Sequence, residues 1–359
     1  MAPTKDVPCD PLVFSTLPPQ PEPKPGQLPL EKIQQFFDKG CIVVENFFTK
    51  DQLDACCRDI DKLVDDLAKK LYNAGKIKNL YEDLGFYYRL TEIEKEFPGA
   101  NVILHKGGIL PQSFRDLWSD ERLLNIVEQL IGPDIAGHPV WNLRTKTPGS
   151  IATTVPWHQD SAYLDTDSYT TLTPTAWIPL IDANDENGCL QMVMNGHKSG
   201  KVARHSCCAG PTWYVMLDEE DMKNDLGVDL DKDIFTLPIN YGSFLLFNNM
   251  IPHQSLPNKS NKIRWSLDLR WQNPDKPFGF FGVKKGVTMR TKDNPKPDID
   301  WETFCSVDRN LAQAKAVNHD EEEFDTTISG PWMLKWPLIN HNKHTASLKD
   351  ESTDAWTKA

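Results

Sequence analysis

Long hydrophobic runs are missing from this 359-residue chain, and no apolar stretch approaches the ~18 residues that a membrane helix requires. A basic segment followed by an apolar one is also missing from the N-terminus, so secretion is not expected. Positive charge is scarce: 39 Lys and Arg stand against 51 Asp and Glu, for a net charge of −12. That balance argues against non-specific binding to nucleic acid or anionic membranes, which needs basic surfaces. Eight cysteines are present, but none as Cys-x-x-Cys, so a zinc ribbon is not expected. The adjacent pairs Cys56-Cys57 and Cys207-Cys208 suit a disulfide framework poorly. They are read as reduced thiols, with a cytoplasmic location. The final Thr357-Lys358-Ala359 differs from the peroxisomal Ser-Lys-Leu.

What is present fits a soluble globular chain, with 39% hydrophobic and 25% charged residues. Residues 1–28 hold eight prolines and are expected to be an extended or disordered lead-in. Residues 29–135 read as a helical buttress. Leu30, Ile33, Phe36 and Phe37 keep helical spacing, with Gly40 as terminator. Cys41 to Phe47 reads as a strand. Thr49-Lys50-Asp51-Gln52 has the form of a capping box, opening a helix striped by Leu53, Cys57, Ile60, Val64, Leu67 and Leu71. Ser119 is expected to cap a further helix through Leu130. Phe86–Leu90 and Asn101–Lys106 read as short strands.

From residue 136 to 275, short apolar segments alternate with turn signals such as Pro148-Gly149, Asn187-Gly188 and Tyr241-Gly242. This pattern predicts a mainly β barrel or sandwich flanked by helices, an α+β arrangement. Residues 161–173 and 204–233 are expected to be lids. Residues 276–359 are expected to pack on the barrel through Trp332 and Trp336, with the last dozen residues loose.

The chemistry gathers at Pro156-Trp157-His158-Gln159-Asp160. On an extended strand, His158 and Asp160 would point to one face, giving half of a metal site. Tyr241 to Asn249, an apolar run bounded by turn residues, reads as a buried strand and leads through Ile251-Pro252 to His253, the candidate third ligand. Two imidazoles and a carboxylate form the facial set used by non-haem Fe(II) oxygenases, leaving positions for a 2-oxo acid and O2. In Lys262–Trp271 the odd positions are apolar and the even ones polar, the clearest period-2 pattern in the chain. Arg264 lies on that polar face and suits the far carboxylate of a 2-oxo diacid.

His158-x-Asp160, His253 and an Arg eleven residues later (264 − 253 = 11) together resemble the phytanoyl-CoA dioxygenase family of Fe(II)/2-oxoglutarate oxygenases. Ala176–Leu180, Gly188–Val193 and Gly40–Val44 fit the same pattern, so the resemblance covers roughly residues 30 to 275. Met194-Asn195-Gly196-His197 departs from the family's Pro-Gly-Ser-His. The resemblance implies a double-stranded β-helix, the jelly roll also found in cupins. It implies Fe(2+) on His158, Asp160 and His253, and 2-oxoglutarate contacts from Trp177, Ser255 and Arg264, with Lys106 at its other end. O2 would be co-substrate and ascorbate a reductant. Tyr163, five residues past His158, is a candidate contact for a small-molecule substrate.

Other readings stay open. The same ligands suit a zinc hydrolase or a cupin-like isomerase, and a non-catalytic binding protein would need no metal. Arg264 could pair with Asp268, and Trp177 could be plain core packing. His105, His138, His205, His319, His341 and His344 are read as structural. No partner macromolecule or oligomeric state is indicated.

Overall fold

The computed structural model describes residues 10–348. The expected looseness of the last dozen residues falls almost wholly outside this range. The helical layer begins with a short turn, α1 (Leu12–Ser15), then α2 (Leu30–Lys39), strand β1 (Cys41–Val44) and α3 (Lys50–Asn73). It continues through α4 (Arg89–Glu96), α5 (Ala100–Lys106), α6 (Gln112–Trp118) and α7 (Glu121–Ile131). Strands β2 (Ile135–Gly137), β3 (Asn142–Lys146), β4 (Thr175–Pro179) and β5 (Leu190–Val193) follow. Next come β6 (Ser206–Cys207), β7 (Val215–Met216), α8 (Glu219–Leu226), α9 (Leu230–Asp233) and β8 (Ile234–Leu237). The barrel closes with β9 (Phe244–Phe247), β10 (His253–Ser255), β11 (Arg264–Gln272) and β12 (Val287–Arg290), before α10 (Trp301–Ser306) and α11 (Arg309–Ala316).

The large sheet is antiparallel in the order β1-β9-β4-β11-β2-β12, with β3 also on β11; a smaller sheet runs β10-β5-β8. These two sheets are the jelly roll. Alternation decides which side chain faces which layer. On β4, Ala176 and Ile178 join the core under the helices, while Trp177 points between the sheets. On β9, Phe244 and Leu246 face the helices, and Leu245 and Phe247 face inward. Strand β11 follows its sequence pattern: Ile263, Trp265, Leu267, Leu269 and Trp271 are fully buried beneath the helices. Arg264, Ser266, Asp268 and Arg270 are thereby left to the interior of the roll.

Local signals explain the helix ends. Thr49 and Gln52 form the reciprocal capping box that starts α3. Gly40 ends α2 at φ 89°, which glycine adopts without strain. Helix α7 is capped by Asp120 rather than Ser119, its carboxylate accepting from the backbone of Arg122 and Leu123. The buried stripe of α3 runs through Cys56, with Cys57 only half-buried. No helix of the described residues is long and apolar enough to cross a membrane.

Several elements differ from the sequence expectations. Residues 101–106 form α5, and 86–88 lie in a turn before α4, so neither stretch is a strand. Within the Pro-rich segment, residues 10–28 lie against the domain. Phe14 is fully buried, Lys24 pairs with Glu128 at 2.6 Å, and Pro25 O accepts from Asn125. Prolines need no backbone donor partner, so an extended run can lie along α7 anchored by a few side chains. The stretch 161–173 is largely buried, where a lid was expected. Cys207 and Cys208 are bridged to one another, while Cys41, Cys56, Cys57, Cys189 and Cys305 are free thiols.

Candidate metal and co-substrate site

His158 and His253 face each other across a reciprocal antiparallel bridge. His158 N donates to His253 O at 3.0 Å, and His253 N donates to His158 O at 2.9 Å. This sets the imidazoles side by side, with ring centroids 4.1 Å apart. Each Nδ1 meets a backbone carbonyl two residues back: Pro156 O at 2.8 Å and Ile251 O at 3.0 Å. A carbonyl only accepts, so Nδ1 carries the proton and each Nε2 keeps its lone pair. Burial, then the neighbouring His158, pushes His253 down to about 3, so it is a neutral imidazole at ordinary pH.

Asp160 completes the group, with Oδ1 3.7 Å from His158 Nε2 and 3.8 Å from His253 Nε2. Among the described residues, no other three His, Cys, Asp or Glu side chains bring their ligand atoms so close together. Asp160 opens a 3-10 turn rather than continuing a strand, so convergence comes from the turn and not from the expected alternation. Arg270 grips Oδ2 with Nε at 3.0 Å and Nη2 at 2.9 Å, and Thr175 Oγ1 donates to the same oxygen at 3.2 Å. Burial opposes ionisation of Asp160. The Arg270 guanidinium outweighs it and holds the carboxyl well below the usual range. Oδ1 is left to face the imidazoles.

Gln159, between the ligands, is fully buried and works as a staple. Its Nε2 donates to Met250 O and Lys201 O, and its Oε1 accepts from Ala203 N. Its own N–H donates to His205 Nε2 at 3.1 Å. Two chain segments, residues 201–205 and Met250, are therefore tied to the ligand turn.

Beside the triad, one lobe of the interior is lined by Trp177, Ser255, Arg264, Lys146 and Leu190. Arg264 is 3% exposed; its guanidinium lies 5.1 Å from the Trp177 ring centroid, and Nη1 donates to Ser266 Oγ at 2.7 Å. Its Nε has no protein acceptor. The alternative pairing with Asp268 does not form, because Asp268 accepts from Arg144 Nε at 2.7 Å. Lys146 is equally buried, and its Nζ also lacks a partner. Burial, then Arg264 and Arg144, holds Lys146 well below the usual lysine range. Gly188, at φ +89°, makes room for it: a Cβ there would lie 2.6 Å from Lys146 Cδ. Ser255 Oγ accepts from Val155 N at 3.0 Å at the lobe's edge.

Lys106 is not brought to this lobe. Residues 100–106 are helical, which turns its side chain toward the C-terminal segment, where Nζ pairs with Glu321 at 3.0 Å and Asp325 at 3.4 Å. Lys146 is the buried lysine near the triad, and it belongs to no motif visible in the sequence. Arg270 did carry a signal, since it shares the polar face of β11 with Arg264. Tyr163 lies beside the triad, its ring 5.6 Å from that of His158, and its hydroxyl accepts from Val215 N at 3.2 Å. Among the other histidines, His105, His138 and His205 bond backbone carbonyls; His344 accepts from Ile328 N and His319 meets Asp325. His197 bonds Phe37 O at 2.8 Å.

The family model described as phytanoyl-CoA dioxygenase (PhyH) matches residues 36–266. The chain belongs to the phytanoyl-CoA dioxygenase family. A Caenorhabditis elegans relative named phytanoyl-CoA dioxygenase domain-containing protein 1 homolog is 25% identical over 64% of this chain and 86% of its own length. An Arabidopsis thaliana phytanoyl-CoA dioxygenase is 23% identical over 68% of this chain and 88% of its own. Among solved structures, the non-heme monooxygenase ThoJ in its apo form covers 78% of this chain and 93% of its own, at 18% identity and a TM-score of 0.49. Membership of the family makes this member a dioxygenase-like enzyme.

Proposed function

We propose that the chain is an Fe(II)- and 2-oxoglutarate-dependent dioxygenase that hydroxylates, or otherwise oxidises, an unactivated C–H of a small organic molecule, with release of succinate and CO2. The observation that carries this reading is a two-imidazole, one-carboxylate cluster beside the buried Arg264 and Lys146, whose Nε and Nζ have no protein acceptor. Buried donors without partners are costly and call for a ligand acceptor. A dianionic co-substrate supplies one, and the donor set of the triad suits iron.

His158, Asp160 and His253 would hold the metal. Arg264, stacked on Trp177 and aided by Lys146 and Ser255, would hold the far carboxylate. Bound iron supplies the redox chemistry that activates O2. The chain's own contribution is positional. Carbonyl contacts fix both imidazole tautomers, Arg270 turns one Asp160 oxygen toward the metal position, and the buried walls exclude water. Asp160 occupies the position that halogenating relatives leave open for halide, which favours hydroxylation. A zinc hydrolase would have no use for Arg264 and Lys146. In the test, purified protein with Fe(II), ascorbate, 2-oxoglutarate and O2 releases succinate, and His158→Ala abolishes the release; intact turnover in that variant would refute the assignment.

A further inference from the structure

A second lobe adjoins the first at His158 and Arg270 and takes in Asp160. One wall is apolar and aromatic, from Tyr163, Trp213, Tyr214, Phe280, Ile328 and Trp332, and the rest is polar, with groups such as His138, Asn142 and Asn249. Two chain segments make the roof. Trp213 and Tyr214 come from the 204–233 segment, and Ile328 and Trp332 from the C-terminal extension, where Trp332 Nε1 donates to Trp213 O. These four side chains are at most 7% exposed, so whatever enters is enclosed.

One charge in this enclosure is not accounted for. Arg309, on the first turn of α11, lines the lobe and is 5% exposed. Two neighbouring guanidiniums have carboxylate partners, Asp268 for Arg144 and Asp160 for Arg270. Among the described residues, Arg309 has no carboxylate within ion-pair reach. Asp308 is exposed and spends its carboxylate on the backbone of Asn310 and Leu311. Arg309 Nη1 donates to Pro139 O at 3.1 Å, and its guanidinium lies 5.0 Å from the Trp141 ring centroid. Its Nη2 reaches Asn142 Oδ1 at 3.4 Å, but turning that amide lets its oxygen accept from Arg270 and Arg144 instead. Arg309 then keeps a free donor edge.

The lobes' charges agree. Five cationic side chains (Arg144, Lys146, Arg264, Arg270 and Arg309) line them, against the carboxylates Asp160 and Asp268. A divalent metal and a dianionic co-substrate cancel one another, so the excess positive charge remains. It remains even with Lys146 neutral.

Resting on the proposed oxygenase reading, we infer that the primary substrate is a compact free carboxylic acid with an apolar body, its carboxylate held by Arg309 and its carbon skeleton against the aromatic roof. The guanidinium fork matches a carboxylate edge-on. An acyl-CoA thioester fits poorly: it has no free carboxylate at the acyl end, and Arg309 is too enclosed to meet the phosphates of a large nucleotide.

The test uses anaerobic protein loaded with Fe(II) and 2-oxoglutarate, and reads tryptophan fluorescence, since Trp213 and Trp332 wall the lobe. The probes are benzoate, phenylacetate, 3-phenylpropionate and cyclohexanecarboxylate, each beside its own amide, with the CoA thioester of 3-phenylpropionate as a further arm. At least one acid is expected to saturate, with its amide about 10- to 100-fold weaker, the size of a lost charge-assisted hydrogen bond. Arg309→Gln should weaken that acid by a similar factor, and Arg309→Lys should restore part of it. The wild-type comparison of acid and amide needs no variant to fold. Amides that bind as well as their acids, an affinity unmoved in Arg309→Gln, binding of the thioester alone, or no binding of any acid by protein that holds 2-oxoglutarate would each overturn the inference. Failure of the wild type to bind 2-oxoglutarate would overturn the oxygenase reading and this inference with it.

Discussion

Arg270 touches one oxygen of Asp160 through two nitrogens and leaves the other oxygen turned to the imidazoles. A group that orients a ligand commonly changes metal affinity 10- to 100-fold when removed. Arg270→Leu should therefore weaken Fe(II) binding by about that factor, measured by anaerobic competition with a chelator. Arg264→Leu removes the fork for the co-substrate's far carboxylate. It should weaken 2-oxoglutarate binding roughly 10- to 100-fold while leaving metal affinity nearly unchanged, as isothermal titration of metal and co-substrate in turn would separate. At this scale the sequence was informative wherever chemistry and spacing coincide. His158, Asp160, His253 and Arg264 stand at recognisable separations. Lys146 does not, because its place depends on the pairing of β3 with β11, which sets it directly opposite Arg264. Nothing local in Arg144–Thr147 announces that register.

Among the elements, regular periodicity carried the prediction and its absence misled. Strand β11 alternates over its whole length, and the burial follows it. Helix α3 has both a cap and a stripe. Residues 101–106 have neither: six residues are too few to tell a buried helix from a strand. The error moved Lys106, since a helix directs that side chain to Asp325 and Glu321 and not into the roll. The Pro-rich segment misled for another reason, because composition does not record which few side chains anchor it, Phe14 and Lys24 among them. Phe14 sits fully buried in the main core. Phe14→Ala should cost about 3–5 kcal/mol in urea unfolding, as for other buried aromatic truncations. A freely solvated lead-in would show no change. At the start of α3, Thr49→Ala removes one half of the capping box and should cost about 1 kcal/mol, seen as a lowered Tm.

For the molecule as a whole, the buried histidines predict acid sensitivity. Burial pushes His105, His138 and His205 each down to about 3, from a free value of 6.5. The unfolded chain thus binds protons that the folded one refuses. Stability is full above the unfolded pKa and is lost progressively as pH falls from 6.5 toward 3. Each such group contributes about 1.4 kcal/mol per pH unit within that window. The Tm of the metal-free protein should fall steeply between neutral pH and mildly acidic pH, and replacing one of these histidines with glutamine should flatten the dependence; a flat profile in the parent protein would contradict the burial argument. The jelly roll itself could be anticipated from turn spacing and family likeness. Packing of the C-terminal extension through Trp332 and Trp336 was likewise expected, but the partner Trp213 was not, because that contact joins segments more than a hundred residues apart.

Three side chains distant in sequence must meet at one ion, and anaerobic equilibrium dialysis against Fe(II) tests that directly. One Fe(II) per chain is expected for the parent protein, and a near-complete loss of that tight site for His253→Ala with the fold intact by circular dichroism. Equal stoichiometry and affinity in the two proteins would contradict it.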